Sequence, residues 1–193
     1  MIQLQTGDRI LVNSKSFLSR TIQKVMRRYA KQEGISDEYT YSHAGTIVIL
    51  NGEEYVAESV ENGFRLRWLF RHYNAYYDDM MIIRQKLPLT DQELVETEDE
   101  ALYLQEVNNF YQYWGLLSWL LYVYVTFKWR GKYRRINFFG KGNKFSNYCY
   151  EGAYRIAKHV RPKDFQKNPE IVTCYDLYDP NRDEIVYRNK PTK

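Results

Sequence analysis

His43-Ala44-Gly45-Thr46-Ile47-Val48-Ile49-Leu50-Asn51-Gly52-Glu53-Glu54-Tyr55-Val56-Ala57-Glu58-Ser59-Val60 is the stretch on which the fold turns. Two strand-like runs, 43–50 and 53–60, flank Asn51-Gly52, a dipeptide that favours a two-residue type I′ turn. Such a turn sets Leu50 opposite Glu53 and His43 opposite Val60. Glu58 is then the diagonal neighbour of His43 on the same sheet face, roughly 7–8 Å away between backbones, a gap that two long polar side chains can close. A four-residue loop would keep the two residues on one face, and a three-residue loop would turn Glu58 away. A histidine oriented by an acid is one part of a nucleophilic site, and it needs a thiol or hydroxyl as partner.

The candidate partner is Cys149, in Phe145-Ser146-Asn147-Tyr148-Cys149-Tyr150-Glu151-Gly152-Ala153-Tyr154. Gly140, Gly142 and Ser146-Asn147 read as loop and cap. From Cys149 onward, apolar residues at 150, 153, 154, 157 and 160 form a helical stripe. The first turn of a helix favours a thiolate through the helix dipole and offers backbone N–H groups to a developing oxyanion. Taken singly, each residue has an ordinary explanation: a lone cysteine is commonly a small buried hydrophobe, a strand histidine a structural hydrogen-bonder, a glutamate a solvated carboxylate. The conjunction carries the reading, and His72 in Phe70-Arg71-His72-Tyr73 is the fallback base.

The order histidine, acid, cysteine, together with Gly7-Asp8-Arg9-Ile10-Leu11-Val12, Ser42-His43-Ala44-Gly45, Ala57-Glu58 and Tyr148-Cys149-Tyr150-Glu151, resembles the circularly permuted papain-like hydrolases. These are the YiiX/YaeF-like relatives of the NlpC-type cell-wall peptidases. In ordinary members the cysteine helix precedes the histidine strand, and the permuted group reverses them. The resemblance spans about residues 6 to 180, with Tyr175-Asp176-Leu177-Tyr178 similar to the family's late loop. It implies a papain-like, NlpC-type α+β fold in which an antiparallel sheet packs against the cysteine-bearing helix. It also implies Cys149 as nucleophile, His43 as base and Glu58 as the partner that orients the base. Relatives often carry Cys-Ser-Glu at the nucleophile, where this chain has Cys149-Tyr150-Glu151.

At 193 residues and 44% hydrophobic content the chain suits one domain, residues 1–193, with a helical aromatic insertion around 90–127. The 28 basic and 24 acidic residues leave a net charge of +4, too small to imply a nucleic-acid partner. Charge is nonetheless segregated. Residues 88–107 carry seven acids and no base, whereas 128–144 carry seven bases and no acid. The 19 tyrosines and 4 tryptophans suit a cleft for sugars or peptides, or half-exposed strands. Two cysteines define no disulfide framework, and Cys174 reads as structural. His43, His72 and His159 lie far apart in sequence and the cysteines lack paired spacing, so no metal site and no cofactor are expected.

Residues 8–13 read as a strand and 16–30 as a helix with apolar Leu18, Ile22, Val25 and Tyr29. Its opposite face carries Arg20, Lys24, Arg27, Arg28 and Lys31. A basic amphipathic helix suits an anionic membrane, but a solvated face over a packed stripe is the preferred account. A polar aromatic stretch covers 68–77, and a strand lies near 80–86. Thr90-Asp91-Gln92-Glu93 is a capping box opening the acidic helix. Ile171–Val172 and Glu184–Arg188 are short strand candidates. Val107 to Phe127 contains no charged residue and is long enough to span a bilayer, but a single crossing would put His43 and Cys149 on opposite sides. A buried or surface-docking aromatic helix is therefore expected there. Met1-Ile2-Gln3-Leu4-Gln5-Thr6-Gly7-Asp8 lacks the basic and apolar regions of a signal peptide, so the visible N-terminus points to the cytoplasm, or to export if a leader was removed.

The expected function is a thiol hydrolase, an amidase or peptidase acting through a Cys149 acyl-enzyme, with Tyr41 and Tyr148 as neighbours for a peptide or acylated small substrate. The alternative is a lipid acyl hydrolase or thioesterase of the same fold, and two other classes stay open: a catalytically silent papain-like binding module, and a membrane-anchored protein using 107–127.

Overall fold

The structure is a computed structural model that describes residues 3–60, 62–73, 77–107, 110–111, 146–147, 149–169 and 172–189. In chain order its elements are β1 (Arg9–Ser14), α1 (Phe17–Glu33), a 3-10 turn (Asp37–Tyr39), β2 (His43–Leu50), β3 (Glu53–Val60), β4 (Gly63–Trp68), α2 (Leu69–His72), β5 (Tyr77–Gln85), α3 (Asp91–Val107), β6 (Phe110–Tyr111), β7 (Ser146–Asn147), α4 (Cys149–Val160), α5 (Cys174–Leu177) and β8 (Asp183–Asn189).

Asn51 and Gly52 have φ of 53° and 80°, the left-handed pair that a type I′ turn demands. The resulting ladder runs from Leu50 opposite Glu53 to Gly45 opposite Glu58, which is the register expected from the dipeptide alone. On its other edge β2 pairs with β1, His43 facing Val12. The six-stranded sheet has the order β4-β3-β2-β1-β5-β8, and every neighbouring pair is antiparallel. The fold is therefore α+β with an antiparallel sheet, and α4 packs on β2 and β3.

Both faces of the central strands are covered. Leu11 and Ala44 point to the face where Ile22 and Met26 of α1 meet Cys149 and Tyr154 of α4. Ile10, Val12, Ile47 and Val56 point to the other, against Leu69 and Tyr73. Alternating side chains with helix on one side and a short segment on the other explain why β1 and β2 read as continuous apolar runs rather than as polar-apolar alternation.

Caps fix the helix ends. Ser16 Oγ accepts from the Ser19 amide at 3.1 Å, and Gly34 closes α1 with φ of 67°. The Thr90 capping box forms, its amide donating to Glu93 Oε2 at 2.8 Å and the Glu93 amide donating to Thr90 Oγ1 at 3.3 Å. Arg161, just past α4, donates to Glu93 Oε1 at 2.7 Å and to the Leu87 and Pro88 carbonyls at 2.8 and 2.7 Å, tying the end of one helix to the start of the other.

Four expectations need correction. Ser146–Asn147 is a strand, paired in parallel with Phe110–Tyr111, and not a cap. Val172 is irregular, because the Thr173 amide and hydroxyl engage Asp176 to cap α5. Tyr175–Leu177 is consequently helical and not a loop. Leu18 lies outside the packed stripe of α1, 40% exposed. The insertion beyond Tyr111, the basic 128–144 segment and all but a few residues of 107–127 lie outside the described residues. Among the described residues no helix is long and apolar enough to cross a membrane.

Candidate active site

His43 opens β2, and the segment before it is anchored by an asparagine. Asn13 Oδ1 accepts from the Ser42 amide at 2.9 Å while its Nδ2 donates to the Thr40 carbonyl at 3.0 Å. Across the hairpin, Glu58 stands opposite Gly45. A Cβ on Gly45 would lie 2.5 Å from Val56 Cγ1 and 3.2 Å from Glu58 Cβ, so glycine here leaves room for the acid between the strands. The diagonal pair closes: His43 Nε2 hydrogen-bonds Glu58 Oε2. The Tyr73 hydroxyl, at the end of α2, donates to the same oxygen. Arg67 Nη1 stands 3.5 Å from the other carboxylate oxygen, Oε1, which has no hydrogen-bond partner among the described residues.

The electrostatics follow from this geometry. Glu58 is 1% exposed, and burial alone would favour its protonated form. The hydrogen bond and charge of His43, the Tyr73 hydroxyl and the Arg67 guanidinium outweigh burial and hold the carboxyl below its usual range. Burial likewise works against a charged His43. The charge and hydrogen bonding of Cys149, with those of Glu58, overcome it and push the imidazole up to about 10.

Cys149 is the first residue of α4, and its thiol donates to the Ser42 carbonyl at 3.9 Å. Two features bring the helix start this close to the histidine strand. The Tyr150 hydroxyl donates to the Tyr41 carbonyl at 2.5 Å, pinning the first turn to the residues that precede His43. Gly152 then lets the helix lie against the sheet: a Cβ there would meet Phe64 Cε2 at 2.8 Å and Ser59 Oγ at 3.0 Å. Ser42 also ties α1 to the site, its hydroxyl 2.5 Å from that of Ser19.

The structure therefore brings His43, Glu58 and Cys149 together from a strand, its hairpin partner and a helix distant in sequence. It does not open Tyr41 to a ligand, because that ring is fully buried and its hydroxyl donates to Asp79 at 3.2 Å. Tyr148 lies outside the described residues. His72 is exposed on α2, away from the Glu58 cluster that its neighbour Tyr73 completes. Cys174 is fully buried, and burial pushes its thiol up to about 12. Sequence reasoning missed Tyr73, Arg67, Asn13 and Ser42. The nearest signal for Tyr73 was the aromatic stretch at 68–77, which gives no hint that one of its hydroxyls reaches a carboxylate 15 residues earlier.

No family model matches the chain. No curated protein matches it either. Among solved structures it is similar to the metalloprotein YiiX from Escherichia coli O157:H7, at 20% identity over 98% of this chain and 99% of that one, with a TM-score of 0.52. Among the described residues of this chain no group of three or more His, Cys, Asp or Glu side chains is placed to hold a metal ion, and the ring nitrogen and carboxylate oxygen of the His43–Glu58 pair are spent on each other. At this identity the likeness speaks to architecture, and it assigns the chain a YiiX-like α+β fold over nearly its whole length.

Proposed function

We propose that this chain is a thiol hydrolase, an amidase or peptidase that cleaves an amide bond through a Cys149 acyl-enzyme, and that its single domain is a circularly permuted relative of the papain-like, NlpC-type fold. The observation that carries the reading is the buried Glu58 carboxylate gripping His43 Nε2 while His43 interacts with a cysteine at a helix start. With Nε2 engaged, Nδ1 is the ring nitrogen left to take the thiol proton. The thiolate sulfur attacks the substrate carbonyl carbon, and the oxygen that becomes anionic meets the backbone N–H of Cys149 at the start of α4. His43 returns its proton to the leaving amine as the C–N bond breaks. Water then attacks the thioester with His43 as base, releasing the acid and restoring the thiol. Glu58 stays ionised throughout and stabilises the imidazolium.

Peptide-type acyl groups, as in cell-wall peptides, are the favoured substrate class, supported by the tyrosine-rich composition. A fatty acyl thioesterase reaction would use the same residues. The test is adduct trapping: incubation with pooled peptidoglycan fragments, and separately with lipid extract, at a pH low enough to slow deacylation, followed by mass mapping of Cys149. A peptide-type increment on Cys149 is expected. A fatty acyl increment reassigns the substrate, and adducts that persist in Cys149→Ser overturn the nucleophile.

A further inference from the structure

The outer face of α1 combines cations with a largely exposed apolar side chain. Phe17, Arg20, Lys24, Arg27, Arg28 and Lys31 follow the 3.6-residue period and share one side of the helix. The opposite side buries Ile22, Met26 and Tyr29 in the core. Before Glu33 the helix carries no acid, and Arg20, Lys24, Arg27 and Lys31 form no ion pair among the described residues. Phe17 heads this stripe at 87% exposure, and Leu18 beside it is 40% exposed. A solvated charged face explains the bases but not a phenylalanine in line with them, which leaves a whole ring in water. Anionic lipid satisfies both at once, with headgroups for the cations and an acyl boundary for the ring.

We infer that α1 is a docking surface for an anionic membrane, with Phe17 as the inserting side chain and Arg20, Lys24, Arg27, Arg28 and Lys31 facing the headgroups. The first turn of α1 is also the turn whose Ser19 hydroxyl meets Ser42, whose carbonyl in turn accepts from the Cys149 thiol. The docked helix would thus be the one hydrogen-bonded to the segment beside Cys149. This inference is independent of what Cys149 does there.

The test is flotation of the full chain with phosphatidylcholine vesicles, with and without phosphatidylserine. Binding is expected only with phosphatidylserine and falls as salt rises. Each cation near the surface is worth about fivefold in affinity, so Lys24→Glu/Arg27→Glu/Arg28→Glu weakens binding at least about a hundredfold. Phe17→Ser weakens it roughly tenfold, the low end of what burying a phenylalanine contributes. Phe17→Trp, in the otherwise native chain, supplies a readout free of any folding defect: the emission it adds to that of the four native tryptophans shifts to the blue on adding anionic vesicles. Equal binding to neutral vesicles, binding indifferent to the charge reversal, or an unshifted added emission in Phe17→Trp overturns the inference. So does a DNA duplex bound more tightly than the vesicles at the same salt, which assigns the stripe to nucleic acid.

Discussion

Glu58 Oε2 accepts hydrogen bonds from both His43 Nε2 and the Tyr73 hydroxyl, so one buried oxygen joins the histidine strand to the short helix after β4. Removing either donor leaves the carboxylate with less compensation for its burial.

Glu58→Gln keeps the shape of the pair but removes the charge that favours the imidazolium. Iodoacetamide labelling of Cys149 is expected to slow several-fold near neutral pH. His43→Ala should do the same more strongly. Labelling profiles unchanged in both variants would break the proposed coupling.

Tyr73→Phe tests the second donor without touching the histidine. Loss of one hydrogen bond to a buried carboxylate should cost about 1.5–3 kcal/mol in urea unfolding. The same change should raise the imidazole pKa measured by NMR, the opposite of Glu58→Gln, because a carboxylate oxygen freed of its second donor holds the imidazolium more strongly. An NMR titration of His43 identical to wild type would remove Tyr73 from the site.

The two cysteines should separate cleanly in a native protein. Cys174 is enclosed and its thiol titrates near 12, so it is almost wholly protonated at neutral pH. Cys149, next to His43, is expected to be alkylated at least about tenfold faster, as read by peptide mass mapping. Equal slow labelling would favour a silent binding module.

Stability should depend on pH through the His43–Glu58 pair. His43 titrates near 6.5 when unfolded and near 10 when folded, so its contribution is full below pH 6.5 and is lost as pH rises through about 10. The folded Glu58 carboxyl lies below 4.5, so its contribution is present above that value and is lost as pH falls through the folded one. The stability gap between wild type and Glu58→Gln is therefore widest between pH 4.5 and 6.5, at about 2 kcal/mol, and narrows on both sides. Urea melts across this range check it, and a gap flat with pH would refute the linkage.

Gly152→Ala asks whether α4 needs its close approach. The added methyl meets Phe64 and Ser59 at or inside 3.0 Å, and relieving the clash by lifting the helix should cost about 1–3 kcal/mol. Because Cys149 moves with the helix, its labelling at neutral pH should change as well. A neutral effect on both would mean that Phe64 yields instead.

Much of this was legible in the chain because it is local. Asn51-Gly52 dictates a turn type, the turn type dictates register, and register places Glu58 diagonal to His43 without reference to the rest of the molecule. The periodicity after Cys149 similarly announces where a helix begins, and Thr90 with Glu93 announces another. What tertiary structure alone decided is which distant groups fill the remaining valences. Tyr73 reaches Glu58 because α2 folds back under the hairpin, and Tyr150 finds the Tyr41 carbonyl because Gly152 lets α4 sink onto the sheet. Tyr41 read as a ligand neighbour from its place beside Ser42-His43, yet its ring is core and only its carbonyl serves the site. Sequence spacing sets the direction of a side chain within its own element, whereas its partner depends on how elements pack, and packing is a property of the whole chain.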